Sequence, residues 1–503
     1  METTRIVVDP AHRIDKVDAR IFGGFLEHMG RAVYEGIYDP RSPLADEDGC
    51  RTDTLAALRE LRMTNMRYPG GNFASGYHWK DGIGPRELRP TVRELAWQSI
   101  EPNQFGSDEF LRLAQRMNWA PMLTVNLGTG TPEEARNWVE YCNSPTGTRF
   151  ADLRAANGHL EPYGVGLWCL GNEMDGPWQL GAMPAQQYAI LAQQAAKLMK
   201  DTDPSIETIA CGSSSIHSRS YMEWDRVVLE YVGKWADYVS LHRYVGNPND
   251  DTADYLAVSN SIDQQIETME ALCRVVQART GSRKRHMLCF DEWNVWYRKN
   301  GPADTNGRGK FAPPLIEEEY NLEDALVVAG FLNCFIRHAD SVKIANLAQI
   351  VNVIAPIQTR GDQLLRQSIF HTFALYAQRR EGFAVRPAIL GPAYDSPSYG
   401  PTQTLDASAI LGGDVLHLFL INRSLEESAD AVIDPGGGWI EGLISAEVVT
   451  GPDAKSANTF EQPQVVTRQP LGAVRIEGGK AYLTLPRLSA AGISLRMRQE
   501  YSS

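Results

Sequence analysis

Over the first three-quarters of the chain, short apolar runs alternate with longer stretches of helical periodicity. The runs span residues 21–28, 64–71, 121–128, 166–173, 208–214, 238–244, 286–294 and 342–349. Each is too short for a buried helix and turns polar at its end, as a strand entering a loop does. Between the runs, residues 52–61 carry Leu55, Leu58 and Leu61 at helical spacing. Residues 107–117 open with Ser107 as a capping residue, and Asp108 and Glu109 follow in the first turn, where carboxylates complement the helix dipole. Thr131 followed by Pro132 marks another helix start. Residues 184–200 and 262–280 are longer amphipathic stretches. Eight β-then-α units predict an α/β fold, a (β/α)8 TIM barrel over residues 18–380. A doubly wound sheet is the rival, but no GxGxxG follows the first run, and the string GTGTPEE at Gly128–Glu134 lacks the GK[ST] ending of a phosphate loop.

Beyond residue 380 the helical periodicity stops. Residues 402–411, 415–422, 429–433, 445–450, 474–477, 481–485 and 492–497 read as strands, with hairpin turns at Gly412–Asp414 and Gly478–Lys480. These predict a C-terminal all-β sandwich of jelly-roll type. The apolar piece Arg5–Val8 precedes the barrel and is placed to add a strand to the sandwich, so the expected division is 18–380 for the barrel and 1–17 plus 381–503 for the sandwich.

Composition narrows the function. The 503 residues are 43% hydrophobic and 22% charged, a globular balance with enough chain to bury a large core without disulfides. A net charge of −13 speaks against a nucleic-acid partner and is compatible with a neutral ligand. The N-terminus has no apolar run of signal-peptide length, and no segment approaches the roughly 20 apolar residues of a membrane span, so no membrane partner is expected. Seven cysteines without paired spacing, three of them (Cys169, Cys211, Cys289) in core runs, fit reduced thiols in a cytoplasm.

In a TIM barrel the active site lies at the C-terminal strand ends. Here those ends read Glu27–His28, Tyr68 to Asn72, Asn126, Asn172–Glu173, Ser213–Ser215, His242–Tyr244, Asp291–Asn294 and Gln349. Amides, carboxylates, imidazole and phenol on one rim suit the hydroxyls of a sugar. The ten histidines form no HxH or HExxH, so no metal is expected, and no GxSxG is present for a serine nucleophile. Paired carboxylates remain. Glycosidic cleavage needs one carboxylic acid for the leaving oxygen and one carboxylate for the anomeric carbon or for water. Glu173 and Glu292 end the fourth and seventh runs. A glutamate at a strand end is by itself usually solvated or capping, and a lone His242 is as readily a satisfied core residue. The context favours chemistry: Asn172 can donate to a sugar 2-hydroxyl, and Trp293, Trp296 and Tyr297 beside Glu292 offer faces to a sugar ring.

Four longer strings are more specific: residues 23–40 (GGFLEHMGRAVYEGIYDP), 67–85 (RYPGGNFASGYHWKDGIGP), 169–181 (CLGNEMDGPWQLG) and 290–297 (FDEWNVWY). They resemble the α-L-arabinofuranosidases of glycoside hydrolase family 51, and the resemblance runs over essentially the whole chain. It implies a retaining exo-hydrolase releasing terminal α-L-arabinofuranosyl residues from arabinan and arabinoxylan fragments. Glu173 matches the family's acid/base and Glu292 its nucleophile. Glu27, Asn72, Asn172 and Gln349 match residues that bind the arabinofuranosyl ring; His242 and Tyr244 match a pair that orients the nucleophilic region. Arg67 matches an arginine whose charge keeps the nucleophile ionised. Trp97 and Trp296 are candidates for stacking on the leaving sugar. The resemblance further implies no cofactor and a homo-oligomer, in this family often a hexamer. Double displacement then requires the two carboxyl groups about 5–5.5 Å apart, with Glu173 held protonated by the charge of Glu292 until that residue is esterified. Rival readings are β-xylosidase or endo-β-glucanase activity on the same machinery, an inactive sugar-binding protein, and a metal-dependent barrel hydrolase. Residues 300–312, irregular and just past the nucleophile strand, are expected at the rim.

Overall fold

The computed structural model describes residues 3–298 and 308–498, so residues 300–307 of the expected rim segment lie outside the described residues. Eight parallel strands close a barrel in chain order: β1 (Gly23–Phe25), β2 (Asn65–Tyr68), β3 (Ala120–Thr124), β4 (Leu167–Leu170), β5 (Glu207–Ala210), β6 (Tyr238–Val245), β7 (Met287–Val295) and β8 (Val342–Ala348). β8 pairs back onto β1, with Leu347 opposite Gly24. All eight apolar runs of the sequence supply a barrel strand. They read as continuous runs because each strand is buried on both faces, towards the barrel interior and towards the helices. Met122, Cys169, Ile209, Cys289 and Ile344, from five different strands, belong to one separate apolar cluster. Such a layer plugs the barrel and leaves the polar strand ends to build the mouth.

The helices at Thr52–Glu60, Ser107–Met117, Pro132–Asn143, Ala185–Thr202 and Ser259–Thr280 occupy the expected stretches. One cap differs from expectation. Gly106, not Ser107, is the N-cap; its N–H donates to the Glu109 carboxylate at 2.9 Å. The Ser107 hydroxyl is instead buried and accepts from the Trp138 indole at 3.1 Å. The helices Leu322–Arg337 and Ser368–Ala377 are buried along almost their whole length. They pass between barrel and sandwich: Asn333 donates to Asp406 at 2.9 Å, and Tyr376 stacks on Phe419.

The C-terminal part is a sandwich of a five-stranded and a seven-stranded sheet. Thr4–Val7 lies within the smaller sheet, parallel to Ala429–Asp434 and antiparallel to Ala388–Leu390. The hairpin at Glu477–Lys480 turns through Gly478 and Gly479, both at positive φ (56° and 75°), the geometry of a type I′ turn that only glycine adopts without strain.

Candidate active site

The mouth is shaped by two irregularities. Pairing of β6 with β7 shifts register between Ser240 and His242, and pairing of β7 with β8 shifts between Phe290 and Trp293. An extra residue in a strand breaks the two-residue alternation. Here it lets consecutive Asp291 and Glu292 both meet Arg67, which comes within 3.3 Å of Asp291 and donates to Glu292 at 2.6 Å. It also turns Trp293 outward into the core against Phe331 and Phe335, fully buried. Tyr297 faces Arg298 and the Glu323 carboxylate. Of the three aromatics expected on a sugar, only Trp296 lines the cavity, edge-on to Tyr244.

Arg67 is fully buried. Besides Glu292 it donates to Asn172 Oδ1 at 2.7 Å, and its guanidinium lies over the Phe25 ring. The Tyr244 hydroxyl donates to the second Glu292 oxygen at 2.9 Å. Glu292 therefore sits between a cation and a phenol, buried, and fixed from two sides.

Glu173 leaves β4 through a turn. Its own φ is 44°, and Gly171 before it sits at 86°; the Gly176 N–H closes the turn on the Glu173 carbonyl at 2.8 Å. One carboxylate oxygen accepts from His242 Nδ1 at 2.8 Å, the other from the indole N–H of Trp178 at 2.5 Å. Ligand atoms of Glu173, His242 and Glu292 all lie within 4.8 Å of one another. Such a trio could be read as a metal site. The imidazole argues otherwise, because both ring nitrogens face carboxylates: Nδ1 lies between Glu173 and Glu292 (3.5 Å from the latter), and Nε2 is 3.4 Å from Asp291. A ligating histidine needs a free lone pair on one nitrogen. Burial disfavours the charge on His242, yet the neighbouring Glu292 and Asp291 lift its pKa well above the ordinary histidine range. Asp291 is pulled down: burial opposes its charge, and Arg67 and His242 outweigh it.

This arrangement carries a stability prediction. A raised histidine pKa contributes stability that is complete below the unfolded value, near 6.5, and is lost as pH climbs through the folded value. The melting temperature of His242→Gln should therefore fall furthest below wild type near pH 6, and the gap should narrow by pH 9. A gap independent of pH would mean that His242 is neutral in the fold.

Just past the end of β1, Glu27 is buried. Its Oε1 accepts from the Phe73 N–H at 2.9 Å and the Trp97 indole at 3.0 Å; Oε2 accepts from Gln349 Nε2 at 3.2 Å. Burial, then the charge of Glu292, pushes its pKa up to about 8 against those hydrogen bonds. The cavity of about 380 Å³ is lined by Glu27, Asn72, Trp97, Glu173, His242, Tyr244, Glu292, Trp296 and Gln349. Arg67 and Asn172, both buried, adjoin these lining residues, with Asn172 Nδ2 donating to Asn72 Oδ1 at 3.4 Å. Trp97, expected against a leaving sugar, lines this cavity with its indole N–H donated to Glu27.

Asn126 does not reach the cavity: its Oδ1 accepts the N–H groups of Gly128, Thr129 and Gly130 and folds the loop after β3. Sequence reasoning missed Trp178, Ile216, His217, Ile316 and Ile354, all lining residues on loops. Only Trp178 carried a signal, as an aromatic five residues past Glu173.

A family model described as α-L-arabinofuranosidase 1 domain matches residues 57–261, and one described as α-L-arabinofuranosidase C-terminal domain matches residues 291–489. An intracellular exo-α-(1→5)-L-arabinofuranosidase 1 of Bacillus subtilis (strain 168) is 44% identical over 93% of this chain and 94% of its own length. The chain belongs to the α-L-arabinofuranosidases of glycoside hydrolase family 51. An exo-α-(1→6)-L-arabinofuranosidase of Bifidobacterium longum is 39% identical over 99% of this chain and 98% of its own. Among solved structures, a family 51 α-L-arabinofuranosidase from Bifidobacterium longum superposes with a TM-score of 0.94 at 36% identity, covering 98% of this chain and 99% of that one. The Thermotoga maritima arabinofuranosidase in complex with arabinose gives 0.88 at 34% identity, covering 98% of this chain and 100% of that one.

Proposed function

We propose that this family 51 chain is a retaining, exo-acting hydrolase that releases terminal α-L-arabinofuranosyl residues from arabinan and arabinoxylan fragments. The observation that carries the mechanism is the meeting of Glu173 and Glu292 on one cavity, with oxygens within 4.8 Å. That supports a covalent intermediate, for which the carboxyl groups stand about 5–5.5 Å apart, over an inverting site, which needs about 6.5–9.5 Å to admit water. The contacts with Arg67 and Tyr244 fix Glu292 in place for attack on the anomeric carbon. Glu173, at the rim, is placed to protonate the leaving oxygen and then to deprotonate water. Glu27, Asn72, Asn172 and Gln349 bind the arabinosyl ring; Arg67, His242 and Tyr244 hold the two carboxylates; Trp97 and Trp296 wall the cavity. The two steps need no cofactor.

Four further elements belong to this proposal. Localisation is cytoplasmic, supported by the intracellular designation of the Bacillus relative and the seven buried free thiols; among the described residues no helix is long and apolar enough to cross a membrane. The chain divides into 18–380 and 1–17 plus 381–503, supported by a separate core joining Ile6 and Val8 to Leu405, Leu418 and Ile493. It assembles as a homo-oligomer, which sedimentation would check. The relatives are named for different linkages, 1→5 in one and 1→6 in another, so several linkages are in scope.

A panel of 4-nitrophenyl glycosides tests the activity. We expect kcat/KM on the α-L-arabinofuranoside to exceed that on the β-D-xyloside and the β-cellobioside by at least about a hundredfold, unchanged by EDTA. A larger value on either of the others would replace the proposed substrate, and EDTA sensitivity would replace the mechanism.

A further inference from the structure

One buried carboxyl group beside the cavity has no place in the chemistry above. Glu94 is 7% exposed. It begins the tip of a hairpin formed by Val92–Arg93 and Ile100–Glu101. Its two carboxylate oxygens accept the backbone N–H groups of Ala96 and of Trp97, the latter at 2.7 Å, and its own N–H donates to the Ser99 carbonyl at 3.0 Å. Gln98 in the same turn is held at φ 58°. Val92 and Leu95 are 37% and 59% exposed, so apolar burial anchors this tip only through Trp97 and, in part, Ala96. Beyond the tip's own bonds, two backbone hydrogen bonds dock the hairpin on its outer side, Gly309 N–H to Gln98 at 2.8 Å and Ile100 N–H to Lys310 at 3.0 Å. On its inner side Trp97 reaches Glu27. A carboxylate that accepts two N–H groups from the turn it begins is a strong local clamp, since charge-assisted hydrogen bonds are roughly twice as strong as neutral ones.

Resting on the arabinosyl-binding role proposed for Glu27, we infer that Glu94 is a positioning residue: by clamping the turn 94–99 it holds the Trp97 indole against Glu27 and so shapes the sugar pocket. Among the described residues no cation pairs with Glu94. Burial pushes it up to about 7 against its backbone hydrogen bonds, and Glu101 on the paired strand pushes the same way. Glu101 is itself bonded to His28 and Tyr34, and the docked segment carries Arg308 and Lys310. The clamp is strongest when Glu94 is ionised, above that value, and weakens as pH falls below it.

The test is a double-mutant cycle read on 4-nitrophenyl α-L-arabinofuranoside. Glu94→Ala and Trp97→Phe should each raise KM about tenfold with kcat within about threefold, the pattern of lost uniform binding. The double variant should be no worse than Trp97→Phe by more than about twofold, because residues acting in series are not additive. Glu94→Gln, which keeps an acceptor oxygen and does not titrate, should raise KM about threefold and make the rise in KM from pH 8 to pH 6 smaller than in wild type. Glu27 titrates in that window in both proteins, so the difference isolates Glu94. Should Glu94→Ala not fold, the cycle is run with Glu94→Gln. Additive losses, or a wild-type KM and pH profile in the Glu94 variants, would overturn the inference alone. No wild-type turnover of this substrate would overturn the proposed function and the inference with it.

Discussion

Replacing Glu292 with alanine lowers kcat on 4-nitrophenyl α-L-arabinofuranoside by roughly 10⁴–10⁶-fold, the scale of losing a covalent nucleophile. A good leaving group does not reduce the loss, because the missing step is attack at carbon and not protonation of oxygen. The isosteric Glu292→Gln loses as much, although it can keep the Tyr244 contact at 2.9 Å. That comparison separates a chemical role from a packing role, since only the anion is missing. Added azide can occupy the vacated space and attack from the same face as Glu292, and the product is then the inverted β-arabinosyl azide. Activity within about tenfold of wild type in either variant would remove Glu292 from the mechanism.

Glu173→Ala should behave in the opposite way with respect to the leaving group. On arabino-oligosaccharides, whose leaving sugar needs a proton, kcat/KM falls by roughly 10²–10⁴-fold. On a 2,4-dinitrophenyl arabinofuranoside the first step needs little help, so the arabinosyl-enzyme accumulates and a burst appears. Azide entering the space between His242 and Trp178, which both donate to Glu173 in the intact site, rescues turnover and gives the α-arabinosyl azide. A loss independent of leaving-group pKa would place Glu173 outside proton transfer.

The parts of this molecule that could be read from sequence are those where burial and chemistry leave a local mark. The eight barrel strands appear as apolar runs because parallel strands are covered on both faces. The helix Leu322–Arg337 escaped because it is covered on both sides as well, by barrel and sandwich, and so lacks the one-faced periodicity that reveals a surface helix. The paired glutamates could be placed at strand ends, but the register shifts that turn Asp291 and Glu292 inward together and send Trp293 into the core leave no trace in residue type. Ser107 followed by two acidic residues looked like a cap, and a glycine one position earlier took that place because the Trp138 indole claims the hydroxyl. Trp178, Ile216 and His217 lie on loops whose path depends on neighbours distant in sequence. Glu94 is similar: alone it reads as a surface charge, and only the fold buries it under its own turn.

The account's central claim is double displacement at an arabinofuranosyl carbon through Glu292. Its most direct test is methanolysis of 4-nitrophenyl α-L-arabinofuranoside by the wild-type enzyme, followed by proton NMR. The account predicts methyl α-L-arabinofuranoside as the initial product, with retention. Methyl β-L-arabinofuranoside as the initial product would contradict it, and the carboxylates would then act as the acid and base of a single displacement.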